Sequence, residues 1–417
     1  MELTHETTNG PRALLRSIPR QSMIAIVVLI GALCLAAIMS RTEAILAPLW
    51  LLAMGAGFTI QRSRFCFASA FRDLFLFGSS RMMQAILVGL AISTIGFAIH
   101  MYSKVPFPGF GVLPGEANIL PVGLSTIVGG LFFGFGMVIS GGCVSGSLFR
   151  MAEGYVASWV SMGGILIGLG LLSQTWNWWW HFSISSESTV WIPAKFGLGY
   201  GGGVLLTLSA LLGAFLLLLW WESRSGLSVP DIARKKEPGD TFGEKLSTLW
   251  RSVFVRGWPA VVGGGVLGGI GVLMYMVHMP WGVTGELARL SNSIMTIFNF
   301  APPEAVGLSN LAGCTGLSDS SSLFTHSFAV TVGLLPGALV GALFASEFKL
   351  RYPRNAKRYV QALSGGIIMG YGAGLGIGCT VGAFFSSIPS LSLSGWLFGI
   401  ALLGGSFAGV QVIKRIA

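Results

Sequence analysis

The sequence has few charged residues: 10% of its 417 residues are Asp, Glu, Lys or Arg, whereas 53% are hydrophobic. Soluble domains carry about 25% charged residues, so this deficit argues against a soluble enzyme, a nucleic-acid-binding protein and a disordered chain. Acidic residues are scarcer than basic ones: the chain has 16 Asp and Glu and 26 Lys and Arg, which gives a net charge of +10. The mean hydropathy of +0.74 is that of a polytopic membrane protein.

The motifs of nucleotide-driven pumps and of familiar hydrolases are also missing. The chain contains no Walker A sequence, no HExxH pair and no Gly-x-Ser-x-Gly elbow with triad partners. Its five cysteines have neither the spacing of a disulfide framework nor that of a Cys/His zinc site. We therefore expect no ATP hydrolysis, no cofactor and no metal, and the cysteines need a local explanation.

Long apolar runs are what the sequence does have. About 20 apolar residues cross the hydrocarbon core of a bilayer as a helix. Arg12, Arg16 and Arg20 precede the first run, which lacks a convincing small-residue cleavage site, so we interpret it as a retained helix rather than a signal peptide. Ten runs occur, at 23–40, 44–60, 82–100, 121–140, 156–174, 201–221, 259–277, 325–347, 360–378 and 393–413.

The distribution of basic residues predicts the topology. Cytoplasmic loops of membrane proteins collect Lys and Arg, and tryptophans gather at the membrane interfaces. Residues 176–200 contain a run of tryptophans that suits the outer interface. Net positive charge lies instead at 1–20, 62–81, 222–258, 349–358 and 414–415. Ten transmembrane helices with both termini in the cytoplasm satisfy all of these assignments.

The two halves of the chain share a pattern of glycines and one cysteine. GGLFFGFGMVISGGC (129–143) aligns without a gap on GGIIMGYGAGLGIGC (365–379), with six of fifteen positions identical, including Cys143 and Cys379. The predicted topology makes the first segment start outside and the second inside, so the repeats are inverted. Inverted repeats place a binding site near the membrane midplane between them.

The repeat and the charge pattern together divide the chain into segments. The fold class we expect is an all-α polytopic membrane protein with about ten transmembrane helices, short re-entrant half-helices and two inverted-topology repeats. Its segments are a cytoplasmic N-terminal segment (1–22), an extra first helix (23–43), membrane repeat 1 (44–175), an outer loop and linking helix (176–221), a cytoplasmic linker (222–258) and membrane repeat 2 (259–417).

Short apolar segments follow the glycine-rich turns. They are too brief to cross a bilayer, so we interpret them as re-entrant half-helices, which membranes permit where the irregular backbone is buried or lines a cavity. The free N–H groups and the positive dipole at the start of a half-helix favour an anion. The segments are 144–152, 380–388, 64–77 and, as a weaker counterpart of the last, 282–290.

The turns before these half-helices supply candidate site residues. In each of two turns a glycine permits close approach of a ligand, a cysteine adds a thiol and a neighbouring residue adds a hydroxyl. The candidates are Gly142, Cys143 and Ser145 in one turn and Gly378, Cys379 and Thr380 in the other. The alternative is ordinary close packing of small residues between membrane helices.

The remaining cysteines have different surroundings. Cys66 lies among several arginines, of which Arg64 is the site candidate; they would attract an anion and favour a thiolate, although they are equally suited to anchoring the cytoplasmic face. Cys314 lies in LAGCTGLSDSSS, which is similar to the other turns, and its participation stays open. Cys34 lies within a plain apolar run, and we expect it to be a packing residue.

At these motifs the sequence resembles the YeeE/YedE family of sulfur-compound transporters. The resemblance implies an hourglass-shaped protein of the bacterial inner membrane, in which half-helices meet at a narrow centre and thiosulfate is taken up. It further implies that Cys66, Cys143 and Cys379 pass thiosulfate along by S–H···S hydrogen bonds. The motifs are QRSRFCFASAFRD (61–73), GGCVSGSLFRMAEG (141–154), PWGVTGEL (280–287) and GIGCTVGAFFSS (376–387).

Cargo and chemistry stay open at this point. The N-terminal extension, the linker and the insertion around Cys314 depart from the family pattern, so a selenium compound or another sulfur oxyanion is an alternative cargo. A rival from another class is a membrane sulfurtransferase that holds sulfur as a cysteine persulfide. The expected partners are the lipid membrane, the anion and a cytoplasmic sulfur-carrier protein, which suits either scheme.

Overall fold

The computed structural model describes residues 20–110, 112–225, 251–308 and 324–416. Within these ranges the protein is built from helices, and its one sheet is a two-stranded antiparallel pair, β1 (Pro121–Val122) and β2 (Ser188–Thr189). The expected all-α class is therefore confirmed. Cys314, most of the expected linker and most of the N-terminal segment lie outside the described residues.

The helices follow the apolar runs of the sequence. The first half contains α1 (Arg20–Thr42), α2 (Leu46–Ser63), α3 (Phe67–Leu76), α4 (Arg81–Lys104), α5 (Leu124–Ser140), α6 (Val144–Ala152), α7 (Val156–Phe182), α8 (Ile192–Lys195) and α9 (Gly199–Ser225). The second half contains α10 (Ala260–Val277), α11 (Thr284–Ile297), α12 (His326–Val332), α13 (Leu334–Phe344), α14 (Lys357–Leu375), a π-helical segment (Thr380–Ser386) and α15 (Leu393–Ile416).

Eight helical stretches of the described chain are long and apolar enough to cross a membrane, or nine if α14 and the π-helical segment, which are bent by 45°, form one span. Each of the ten predicted runs is largely helical in the structure, and the run at 325–347 is divided between α12 and α13. The count of ten crossings stays a prediction, because α2 has the length of a span but also carries the polar side chains of Gln61 and Arg62.

The short segments expected after the turns are short helices. Three of them, α3, α6 and the π-helical segment, have close to the predicted bounds. The fourth, α11, continues to Ile297, well beyond the predicted end at 290. Its additional turns carry polar residues that bind α7: Ser291 donates to the Leu166 carbonyl at 2.7 Å, and Asn292 accepts from Ser173 at 2.8 Å. These contacts satisfy polar groups of α11 against α7, which stabilises its additional turns.

Glycines bring α5 and α14 into backbone contact. A Cβ built on Gly136 would lie 2.6 Å from the Gly365 carbonyl oxygen, and one built on Gly372 would lie 2.7 Å from that of Gly129. In the repeat alignment Gly129 corresponds to Gly365 and Gly136 to Gly372, so each contact recurs with the repeats exchanged. A two-fold relation produces such reciprocal contacts, and they favour the inverted repeat, which stays a prediction.

The outer faces of α5 and α14 repeat the same relation. A Cβ on Gly134 of α5 would lie 2.5 Å from the Leu402 carbonyl oxygen of α15. A Cβ on Gly370, which corresponds to Gly134, would collide with the Ile165 carbonyl of α7. The first half therefore packs a helix onto the second half's glycine-rich helix, and the second half does the same to the first. Small residues are how membrane helices approach this closely.

Replacing Gly136 by alanine is expected to destabilise the protein. The new methyl group would meet Met369 N at 2.5 Å and the Gly365 carbonyl oxygen at 2.6 Å, so α5 and α14 must separate. Such overpacking costs about 1–3 kcal/mol. A lower thermal unfolding midpoint of the purified protein is the expected readout.

Gly163→Ala is the matched control, because a Cβ at this position on α7 meets nothing within 4 Å. We expect its unfolding midpoint to stay at the wild-type value. Equal midpoints for the two alanine variants would contradict the importance of the α5–α14 contact.

Candidate functional site

Each of the three cysteines expected at the site lies immediately before a short helix. Cys66 precedes α3, Cys143 precedes α6 and Cys379 precedes the π-helical segment, all with extended backbone conformation. All three are buried, with at most 2% of their surface exposed. The first N–H groups of a helix have no partner within it, so each thiol lies beside backbone donors that are free of the helical ladder.

The turns themselves share one geometric feature. Two positions before each cysteine the backbone is left-handed, with φ of 52° at Arg64, 81° at Gly141 and 53° at Ile377. Glycine adopts this conformation freely, whereas a β-branched residue such as Ile377 adopts it only at a cost. The glycine motifs predicted the turn at Gly141, but nothing in the sequence marked Arg64 and Ile377 as left-handed.

Cys66 and Cys143 converge on the same point. A Cβ built on Gly146 would lie 3.1 Å from Cys143 Sγ and 3.4 Å from Cys66 Sγ. Both sulfur atoms therefore border the same position over Gly146. Cys143 Sγ also accepts from the Gly146 backbone N–H at 3.3 Å and lies 3.5 Å from Ser145 Oγ. The structure therefore joins cysteines that are 77 positions apart in the sequence.

Gly146 is a residue of the candidate site that the sequence candidates omit. Any side chain there would push against both sulfur atoms. The signal was present, since Gly146 matches Gly382 when the repeat alignment is extended beyond the cysteines. Glycine is so common in this chain, at 60 residues, that a single match did not distinguish it.

Cys379 has a separate environment. Its thiol forms no hydrogen bond with Cys66 or Cys143 in the described part of the chain, and the adjacent Thr380 Oγ1 is buried without a partner there. A Cβ at Gly378 would lie 2.8 Å from Ala383 N, so glycine lets this turn close on itself. Of the three expected thiols, the structure brings two together and places the third in a turn of its own.

Aromatic rings connect the two short helices that follow Cys66 and Cys379. Phe67 lies edge-on to Phe385 with ring centroids 5.5 Å apart, and Phe71 lies edge-on to Phe384 at 5.9 Å. Edge-to-face pairs at this separation are favourable beyond the area they bury. They hold α3 and the π-helical segment in a fixed arrangement.

Arg64 takes part in a compact ionic network. It forms ion pairs with Glu347 at 2.9 Å and Glu153 at 3.4 Å, and Arg62 pairs with Glu347 at 3.2 Å. Gln61 donates to both carboxylates, at 2.8 Å to Glu347 and 3.1 Å to Glu153. The charge of Arg64, which was expected to attract an anion, is thus balanced by two carboxylates that lie far away in the sequence.

Two features outside the cysteine turns also have defined positions, the Glu286 carboxylate and Cys34. Arg289 binds Glu286 as an i,i+3 pair at 2.5 Å, and Thr325 donates to the same carboxylate at 3.2 Å. Glu286 is therefore held by a structural pair within α11 and by Thr325. Cys34, expected to be a packing residue, is instead exposed on α1, because the buried residues of that helix (Ala25, Ala32, Ala36 and Met39) lie on another face.

Comparison with known proteins identifies the family. A family model described as sulphur transport matches residues 62–408, a range that contains the turns of Cys66, Cys143 and Cys379. The thiosulfate transporter TsuA of Spirochaeta thermophila is 30% identical over 376 residues, which are 86% of this chain and 96% of that protein.

Two further relatives come from Escherichia coli. Its thiosulfate transporter TsuA is 24% identical over 349 residues, 82% of this chain and 87% of that protein. Its probable transporter YedE is 32% identical over 207 residues, 49% of this chain and 48% of that protein. Because the family model and both TsuA proteins cover most of the chain, the protein belongs to the sulphur transport family of YeeE/YedE-type membrane transporters.

Proposed function

We propose that this protein takes up thiosulfate, or a closely related sulfur oxyanion, across the bacterial inner membrane, with both termini in the cytoplasm. The observation that carries the proposal is the convergence of the Cys66 and Cys143 thiols over Gly146 at the break between α5 and α6. The names of the two TsuA relatives support thiosulfate as the cargo. Transport needs no chemistry on the cargo, so we do not propose an enzyme.

The thiols suit thiosulfate because of their polarity. A thiol is a weak hydrogen-bond donor, and the terminal sulfur of thiosulfate is a soft, polarisable acceptor. Cys66 and Cys143 both approach the space over Gly146, and an arriving sulfur would bind between them. Neutral donors hold a dianion less firmly than a guanidinium would, which favours its release.

Cys379 would act as a further step in this path. Conduction requires several sites that are each weak enough to leave, and Cys379 sits in a second, separate turn with the same extended backbone as Cys143. The aromatic pairs between α3 and the π-helical segment would make a route between the turns narrow and apolar. A narrow route of this kind would exclude hydrated ions that cannot bind a thiol.

Alanine at either cysteine of the repeat is expected to abolish uptake. Cys143→Ala and Cys379→Ala each remove a donor from the path while adding no volume to a buried position. The measurement is growth of a transport-deficient strain on thiosulfate as sole sulfur source, with protein level checked by blotting. Cys34→Ala is the control, since Cys34 is exposed on α1. Wild-type growth with either of the first two variants would disprove the relay.

Convergence of two thiols predicts selective binding of Hg²⁺. Thiolates prefer soft metals, so one equivalent of Hg²⁺ should bridge Cys66 and Cys143 and protect both from alkylation in the purified protein. Cys379→Ala should keep this protection, whereas Cys66→Ser and Cys143→Ser should each lose it. Protection that depends on Cys379 but not on Cys66 would contradict the arrangement of the turns.

The relay also predicts that no sulfur stays on the protein. After incubation with ³⁵S-labelled thiosulfate, intact-mass spectrometry should show unmodified cysteines, because hydrogen bonding leaves no covalent product. A stoichiometric persulfide on Cys66 would replace the relay by a membrane sulfurtransferase. A cytoplasmic sulfur-carrier protein would suit either outcome as partner. Growth on a selenium compound but not on thiosulfate would keep the path and change the cargo.

A further inference from the structure

A cavity of about 310 Å³ opens beside the turn that precedes Cys143. Arg150 at the end of α6, Arg351 in the segment before α14 and Arg358 in the first turn of α14 all line it. Neither Asp nor Glu is among the described residues that form its wall. Three guanidinium groups therefore share one small volume without an acid.

These arginines are bound to backbone carbonyls instead of carboxylates. Arg150 and Arg358 donate to carbonyl oxygens at the end of α5, where Arg358 reaches Ile139 O at 3.0 Å. Arg351 donates to Glu347 O at 2.9 Å. None of the three forms an ion pair with a carboxylate in the described ranges. A carbonyl group orients a guanidinium but leaves its charge uncompensated.

The contrast with the neighbouring ionic network is informative. Arg62 and Arg64 lie near the same turns and are matched by Glu153 and Glu347. The carboxylates of Glu153 and Glu347 therefore lie close to the cavity, but neither residue forms part of its wall. Each guanidinium has five N–H donors. An arginine that binds one or two carbonyl oxygens therefore still has N–H groups with which to bind a ligand.

A buried hydroxyl points to the same place. Ser147 lines the cavity, is 2% exposed, and its Oγ forms no hydrogen bond with a described residue. A Cβ built on Gly142 would lie 3.4 Å from this Oγ and 3.7 Å from Arg150 Nη1, so the hydroxyl and the guanidinium converge over Gly142. The Ser147 hydroxyl opens on the cavity, so an anion there would accept the hydrogen bond that no described residue accepts.

We propose that this cavity binds a tetrahedral dianion, with thiosulfate as the cargo and sulfate as a ligand of the same shape and charge. Charge-assisted hydrogen bonds from guanidinium groups to oxyanions are the strong ones in proteins. Gly142 borders the cavity and is followed directly by Cys143. The cavity is therefore the receiving site next to the thiols, on the basic face that the topology assigns to the cytoplasm. This role rests on the proposed transport function.

The arginines have a second possible role, which the experiment separates from the first. Cations near the C-terminal carbonyls of a helix stabilise that helix, and Arg150 and Arg358 would do so for α5 without any ligand. A purely structural role predicts lower stability on substitution and no saturable anion binding. The same carbonyls compete with a ligand for the N–H donors, which would keep the bound dianion exchangeable.

Equilibrium binding of ³⁵S-labelled sulfate to the purified full-length Cys143→Ala protein tests the proposal. This background removes one of the converging thiols, so binding reports on the cavity. We expect saturable binding that thiosulfate displaces and that weakens as NaCl rises. Arg351→Gln should raise Kd at least about tenfold, as loss of a charged hydrogen bond does.

Two further variants guard against misfolding. Ser147→Ala removes only a hydroxyl and should raise Kd several-fold without a change in thermal stability. Arg354→Gln is the matched control, since Arg354 lies in the same segment as Arg351, is exposed and is not part of the cavity wall. Unchanged Kd in both Arg351→Gln and Ser147→Ala, or equal loss in Arg354→Gln, would overturn the site.

The source of the anion and the transport function are tested separately. Sulfate binding in nanodiscs of phosphatidylcholine should match that in nanodiscs that also contain phosphatidylglycerol. Tight association of phosphatidylglycerol that abolishes sulfate binding would assign the cavity to a lipid headgroup and overturn the proposal. If the wild-type protein takes up thiosulfate but Arg351→Gln and Ser147→Ala still bind sulfate normally, the cavity proposal is refuted and the transport function is not. If these variants lose sulfate binding but the wild-type protein takes up no thiosulfate, only the transport function is refuted.

Discussion

The contact between α5 and α14 is the constraint on which the candidate site depends. A Cβ on Gly129 would lie 2.6 Å from Gly376 N, and one on Gly365 would lie 2.5 Å from Ser140 N. Gly376 and Ser140 each lie three positions before a cysteine of the repeat. The end of each glycine-rich helix therefore rests on a glycine of the other, so the separation of the two helices sets where both cysteine turns lie.

The close packing of α5 against α14 offsets the conformational free energy that the left-handed turn residues cost. In a membrane there is no hydrophobic force between helices, and van der Waals packing of small residues takes its place. A left-handed non-glycine residue costs about 1–3 kcal/mol and persists where the surroundings fix it. Ile377, with φ of 53°, directly follows Gly376, so the close helix contact is next to the strained residue that it holds in place.

Charge is divided into two groups around the turns. Arg62 and Arg64 are matched by Glu153 and Glu347 and fasten the end of α2 to the segments at the ends of α6 and α13. Burying a charge without a partner is expensive, and this network meets that cost with carboxylates. The arginines of the cavity beside Cys143 bind carbonyl oxygens instead, and so keep their charge for an anion.

The sequence by itself determined the membrane class, the apolar runs and the cysteine turns, because each depends on neighbours along the chain. The glycines before Cys143 and Cys379 mark turns locally, and the short segments after them are visible from their length. Only the tertiary structure decided that Cys66 meets Cys143, that Arg64 is matched by Glu153 and Glu347, and that α11 extends to Ile297. Each of these joins residues far apart in sequence, and such contacts depend on how helices pack, which local pattern does not encode.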